Sequence, residues 1–107
     1  MAQYVIVYLG GDKPSSPEEG KAHFAKYMEW IQGLGDAAVS PMNPLKGTTT
    51  IAPDGSASEG AGSTMSGYTI VEAESMDAAL EMARACPFLG INGTLEVSEL
   101  VQMPGAG

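Results

Sequence analysis

An α+β domain, with an antiparallel sheet carrying two helices on one face, is what this sequence predicts, and three observations predict it. Residues 3–9 (QYVIVYL) and 68–73 (YTIVEA) are strand-like, and both of their alternating faces are apolar. Each is followed by a segment with a helix-start signal and apolar residues three and four apart. A last strand-like segment, residues 94–101, follows the second helix. At 107 residues the chain has room for one core and not for two.

In the first strand Tyr4, Ile6 and Tyr8 share one face, and Val5, Val7 and Leu9 share the other. A half-exposed strand would alternate apolar with polar, so this one should be central and covered on both sides. Gly10 and Gly11 end it. The first helix is expected from Ser16 as N-cap, Pro17 at the first position and Glu19 completing an S-x-x-E capping box. It should run to about Gly33, with Phe24, Tyr27, Met28, Ile31 and Leu34 as its stripe and His23, Tyr27 and Trp30 along one margin. Gly33 and Gly35 supply its end.

Residues 37–40 read as a weak strand stopped by Pro41 and Pro44, and residues 46–52 (KGTTTIA) as a second short one. Residues 56–66, nearly all Ser, Gly, Ala, Thr and Glu, read as a mobile loop. Ser75 caps the second helix, with Met76, Leu80 and Ala83 as its expected buried stripe and Pro87 as its stop. In the last strand Leu100 breaks the parity of Leu95, Val97 and Val101, which suggests a bulge near Glu99. The order is β-α-β-β-β-α-β, or β-α-β-β-α-β if the weak strand merges into a hairpin arm. This is the ferredoxin-like split unit. Its second sheet face needs a cover, and a second copy packed sheet against sheet is the simplest one. Residues 1–103 should form the domain and 104–107 a flexible tail.

Five basic and thirteen acidic residues give a formal charge of −8, which argues against nucleic acid and anionic membranes as partners. One cysteine, Cys86, excludes an internal disulfide and any multi-cysteine metal site. No apolar run approaches the ~20 residues of a membrane helix, and a strand so near the start leaves no room for a signal peptide. The expected location is cytoplasmic.

His23 is the only histidine. A lone histidine at the edge of an apolar stripe is most often a partly buried residue with one satisfied nitrogen. A carboxylate hydrogen-bonded to it would fix its tautomer and fit it to move a proton near neutral pH. Asp12, in the loop joining the first strand to the helix, can do this; Asp36, past the helix end, is a second carboxylate but reads better as a turn residue. Tyr8, Tyr27, Trp30 and Tyr68 either line an apolar pocket for a small aromatic or unsaturated ligand or belong to the core. Cys86 lies at a helix C-terminus, the wrong end to activate a thiol. One histidine with scattered carboxylates has no metal-ligand spacing, and the glycine pairs match no phosphate loop.

Residues 67–100, GYTIVEAESMDAALEMARACP followed by GTLEVSEL, resemble the YCII-related family, including its DGPF-type branch. The resembling features are an aromatic strand at 68–72, an acidic junction at 74–77, a D-x-A-L-x-x-A helix at 77–83 and a G-T-x-E-V strand at 93–97. A weaker match takes in residues 4–9, Asp12, His23 in A-H-F-A-K-Y, and Pro44-Leu45. The resemblance implies the dimeric α/β-barrel form of the ferredoxin-like fold. It also implies a site built from an Asp just after the first strand and a His on the first helix, the places of Asp12 and His23. Two features depart from the family: Gly20 stands where a basic residue precedes the His, and the Asp-Gly-Pro-Phe motif is replaced by the low-complexity segment 58–64.

Two functions stay open. One is a cofactor-independent lyase or isomerase acting on a small organic molecule, with His23 as general acid/base, Asp12 orienting it and the aromatics shaping the pocket. Fold analogy leaves an oxidative variant beside it. The other is a non-catalytic module that binds a small ligand or a protein, for which the two departures speak.

Overall fold

The computed structural model describes residues 1–60 and 65–102. The elements are β1 (Ala2–Gly10), α1 (Pro17–Leu34), β2 (Ala38–Pro44), β3 (Thr49–Ile51), β4 (Ala57–Glu59), β5 (Met65–Ala73), α2 (Met76–Arg84) and β6 (Gly93–Glu99), with 3-10 turns at Gly35–Ala37 and Pro87–Ile91. Four strands form an antiparallel sheet in the order β2-β5-β1-β6, and β3 pairs with β4 in a separate hairpin. This is the ferredoxin-like arrangement expected, with both helices over one face. None of the described helices is long and apolar enough to cross a membrane.

The two-sided strands divide as their parity requires. Tyr4, Ile6 and Tyr8 of β1 and Thr69, Val71 and Ala73 of β5 are buried beneath the helices. Val5, Val7 and Leu9, with Tyr68 and Ile70, lie on the opposite face and are half-exposed. Ser16 caps α1 as expected, accepting from the Glu19 amide at 3.1 Å, whereas the Glu19 carboxylate accepts from Ser15 Oγ and leaves the capping box half made. Ser75 caps α2 in the same way.

Several expectations are corrected. β2 runs through Pro41, because it is an edge strand whose register slips between Ser40 and Asn43, where a missing amide hydrogen goes unused. Part of the expected 56–66 loop is regular: it supplies β4 and the start of β5, closed by the turn in which Asp54 Oδ1 accepts from the Ser56 amide. Residues 61–64 of it, and the tail at 104–107, lie outside the described residues. The bulge expected near Glu99 is not there; β6 keeps its register against β1, and the irregularity sits between Tyr8 and Leu9 where they meet Gly67 and Met65. On α2 the buried positions are Ala79 and Ala83, with Leu80 half-buried and Met76 exposed, since two alanines let the helix lie close on the sheet. On α1 the buried residue is Trp30, whose indole nitrogen donates to the Met82 carbonyl at 2.9 Å. Phe24, expected in the stripe, is 52% exposed.

Candidate functional site

The helices close over one end of the sheet and part over the other. Trp30, Ala79 and Ala83 seal Tyr4, Ile6 and Val71 into the core. Toward Tyr8 the first turns of α1 stand away from the sheet, leaving a cavity of about 390 Å³. Its walls are largely apolar, from Phe24, Met42, Pro44, Phe88 and Ile91, and a few polar side chains enter it, among them Asp12, Glu19, His23 and Asn43.

Glycine makes room for one wall. A Cβ on Gly93 would lie 2.2 Å from the Phe88 ring and one on Gly11, whose φ is +88°, would lie 2.8 Å from it. The ring therefore lies against two bare backbones and meets Tyr8 at a centroid distance of 5.1 Å. Asn92, in the left-handed conformation at φ 62°, ends the turn that carries Phe88.

His23 is half-buried on α1 and lines the cavity. Asp12 lines it too, but its carboxylate accepts from Asn92 Nδ2 at 2.6 Å, and its amide donates to Ile91 O at 2.7 Å. No hydrogen bond or ion pair joins Asp12 to His23; among the described residues the one ion pair is Arg84–Glu81 on the surface. Asp12 is held by the β6 junction, because the loop after β1 is clamped there before the chain turns into α1.

Of the four aromatic candidates, Tyr8 and Tyr27 line the cavity and Trp30 and Tyr68 do not. Trp30 packs behind Tyr27 as core, the ring centroids 5.5 Å apart and the planes tilted by 48°. Tyr68 has the outward parity of β5, because Thr69 takes the inward place opposite Ile6. Tyr8, Tyr27 and Thr69 bring their hydroxyls together, and burial pushes the Tyr8 phenol far above its ordinary range, so it stays protonated. Burial likewise raises the Cys86 thiol, which is no ready nucleophile. Among the described residues no three of His, Cys, Asp and Glu are grouped to hold a metal ion. Sequence reasoning missed Asn43, Phe88 and Asn92. The Asn92-Gly93 pair carried a turn signal, but nothing local tied it to Asp12.

A small α+β domain with one mostly apolar cavity beside a histidine is the class that fold and site define. The YCII-related domain matches residues 4–104, and the chain belongs to that family. Among solved structures it is similar to the 5-chloro-2-hydroxyhydroquinone dehydrochlorinase TftG of Burkholderia phenoliruptrix, in complex with 2,5-dihydroxybenzoquinone. The TM-score is 0.59 at 18% identity, over 94% of this chain and 95% of that one. No curated protein matches.

Proposed function

We propose that this YCII-related chain is a cofactor-independent enzyme of the lyase or isomerase kind, acting in the cytoplasm on a small organic molecule held between α1 and the sheet. The observation that carries the reading is that His23, Asp12, Tyr8 and Tyr27 all line one cavity. A dehydrochlorinase of the same fold, solved with a dihydroxybenzoquinone, points to a hydroxylated ring as the ligand. His23 is the general base. In an elimination it takes a proton from the ligand, the freed electron pair forms a new π bond, and the leaving group departs with its own electrons. In an isomerisation it returns the proton to a different atom. Neither course needs an oxidant. Asp12 faces the same space and acts across the ligand on the charge that His23 gains, its position held by Asn92.

The half-exposed face of Val5, Val7, Leu9, Tyr68 and Ile70 packs in this reading against a second copy, forming a two-fold dimer through the sheets. Sedimentation at micromolar concentration tests it, and a monomer there defeats it.

The site is tested by a thermal-shift screen of 2,5-dihydroxybenzoquinone and small quinols on the wild type and His23→Ala, followed by turnover assays on each hit. Turnover lost in His23→Ala supports the enzyme. A hit that binds both proteins equally and is never converted favours the non-catalytic binding module, for which the separation of Asp12 from His23 speaks.

A further inference from the structure

The cavity carries a hydroxyl cluster that the acid/base reading leaves unused. Tyr8 from β1, Tyr27 from α1 and Thr69 from β5 meet over the Pro41 carbonyl of β2. Tyr8 Oη lies 2.5 Å from Tyr27 Oη and in close contact with Thr69 Oγ1, and Tyr27 Oη lies 3.0 Å from Thr69 Oγ1. Tyr27 Oη donates to Pro41 O at 2.9 Å and Thr69 Oγ1 donates to it at 2.7 Å. Five close oxygen pairs therefore share three protons.

The carbonyl has no proton to give, so the supply cannot grow. Thr69 is wholly buried, so water does not reach its side of the cluster. Arrangements that leave the fewest pairs without a proton keep all three inside, with Tyr8 donating to one neighbour and the chain ending on Pro41 O. Turning a proton out toward the cavity would leave three of the five pairs as lone pair against lone pair, a costly state where water is excluded. Since burial keeps the Tyr8 phenol neutral, no proton is lost near neutral pH.

Tyr8 and Tyr27 are the members that also line the cavity, and Tyr27 stands one helical turn after His23. What the cluster offers a bound molecule is a hydrogen-bond acceptor. We infer that the Tyr27 hydroxyl oxygen is a specificity-determining acceptor of the site, selecting ligands that aim an O–H or N–H group at it over isosteres without that hydrogen. The inference rests on the small-molecule reading of the cavity.

Calorimetric titration with hydroquinone and 1,4-difluorobenzene tests it, because fluorine approximates a hydroxyl in size and carries no hydrogen. The wild type should prefer hydroquinone by about tenfold or more, and Tyr27→Phe should lower that ratio about tenfold by weakening hydroquinone alone. Thr69→Val, which leaves Tyr27 Oη in place, should keep the preference. Binding of both probes with the ratio unchanged in Tyr27→Phe overturns the inference and leaves the small-molecule reading standing. Binding of neither probe to the wild type removes that reading and the inference with it. If Tyr27→Phe does not fold, the wild-type ratio decides, and a ratio of one or below is a refutation.

Discussion

The two ends of one strand face have opposite fates. Tyr4 and Ile6 of β1 are sealed under Trp30, Ala79 and Ala83, whereas Tyr8, on the same face, borders an open cavity. The side chains of the strand do not make this difference, since all three are large and apolar in body. The helices make it. Small residues on α2 let it lie close, and the indole of Trp30 pins α1 to the end of α2 at the Met82 carbonyl. Beyond that pin and the Tyr27 hydroxyl that donates to the Pro41 carbonyl, the first turns of α1 have no such anchor, and Gly20, His23 and Phe24 stand off the sheet. The tightly packed core therefore lies at one end and the cavity at the other.

Breaking the sealed end should have the largest effect. Trp30→Ala removes a buried indole and the donor to Met82 O, and should cost about 3–5 kcal/mol in urea denaturation. A loss under about 1 kcal/mol would mean that the pin is unimportant. Gly93→Ala probes the boundary between the two ends. Its Cβ would fall 2.2 Å from the Phe88 ring and 2.6 Å from the Phe88 carbonyl, so a destabilisation of about 1–3 kcal/mol is expected, together with altered ligand binding as that wall shifts.

Tyr8 sharpens the comparison through pH. Its folded pKa is raised by burial, so the folded state keeps a proton that the unfolded state releases above about pH 10. The stability this group contributes is complete below that pH. It is then lost by up to about 1.4 kcal/mol per pH unit as the pH climbs further. Denaturation of wild type and Tyr8→Phe in parallel isolates it, and identical slopes above about pH 10 would show that the phenol ionises freely in the fold. The smallest stability effect belongs to the open end. His23→Ala should stay within about 1 kcal/mol of wild type in thermal and urea unfolding while losing turnover, whereas a large destabilisation would make His23 a core residue.

Much of the architecture was legible locally. Ser16 and Ser75 cap their helices because a side-chain oxygen near a free amide needs no distant partner. The doubly apolar parity of β1 and β5 announced strands in the middle of a sheet, and they lie there. The hairpin β3–β4 was half missed, since Ala57, Ser58 and Glu59 have little strand preference and are held by pairing with Thr49, Thr50 and Ile51. Asp12 and His23 could be named as candidates, but their relation could not, because it depends on Asn92, eighty positions from Asp12.

The sequence by itself determined the order of elements apart from β4, the caps, the two-faced strands and the single histidine, all set by short-range preference and periodicity. Only the tertiary structure decided which aromatics face the cavity, that Trp30 is core, that Phe88 forms a wall and that Pro41 terminates a hydroxyl cluster. Those outcomes follow from how closely each helix can approach the sheet, and that distance is set by contacts between residues far apart in the chain.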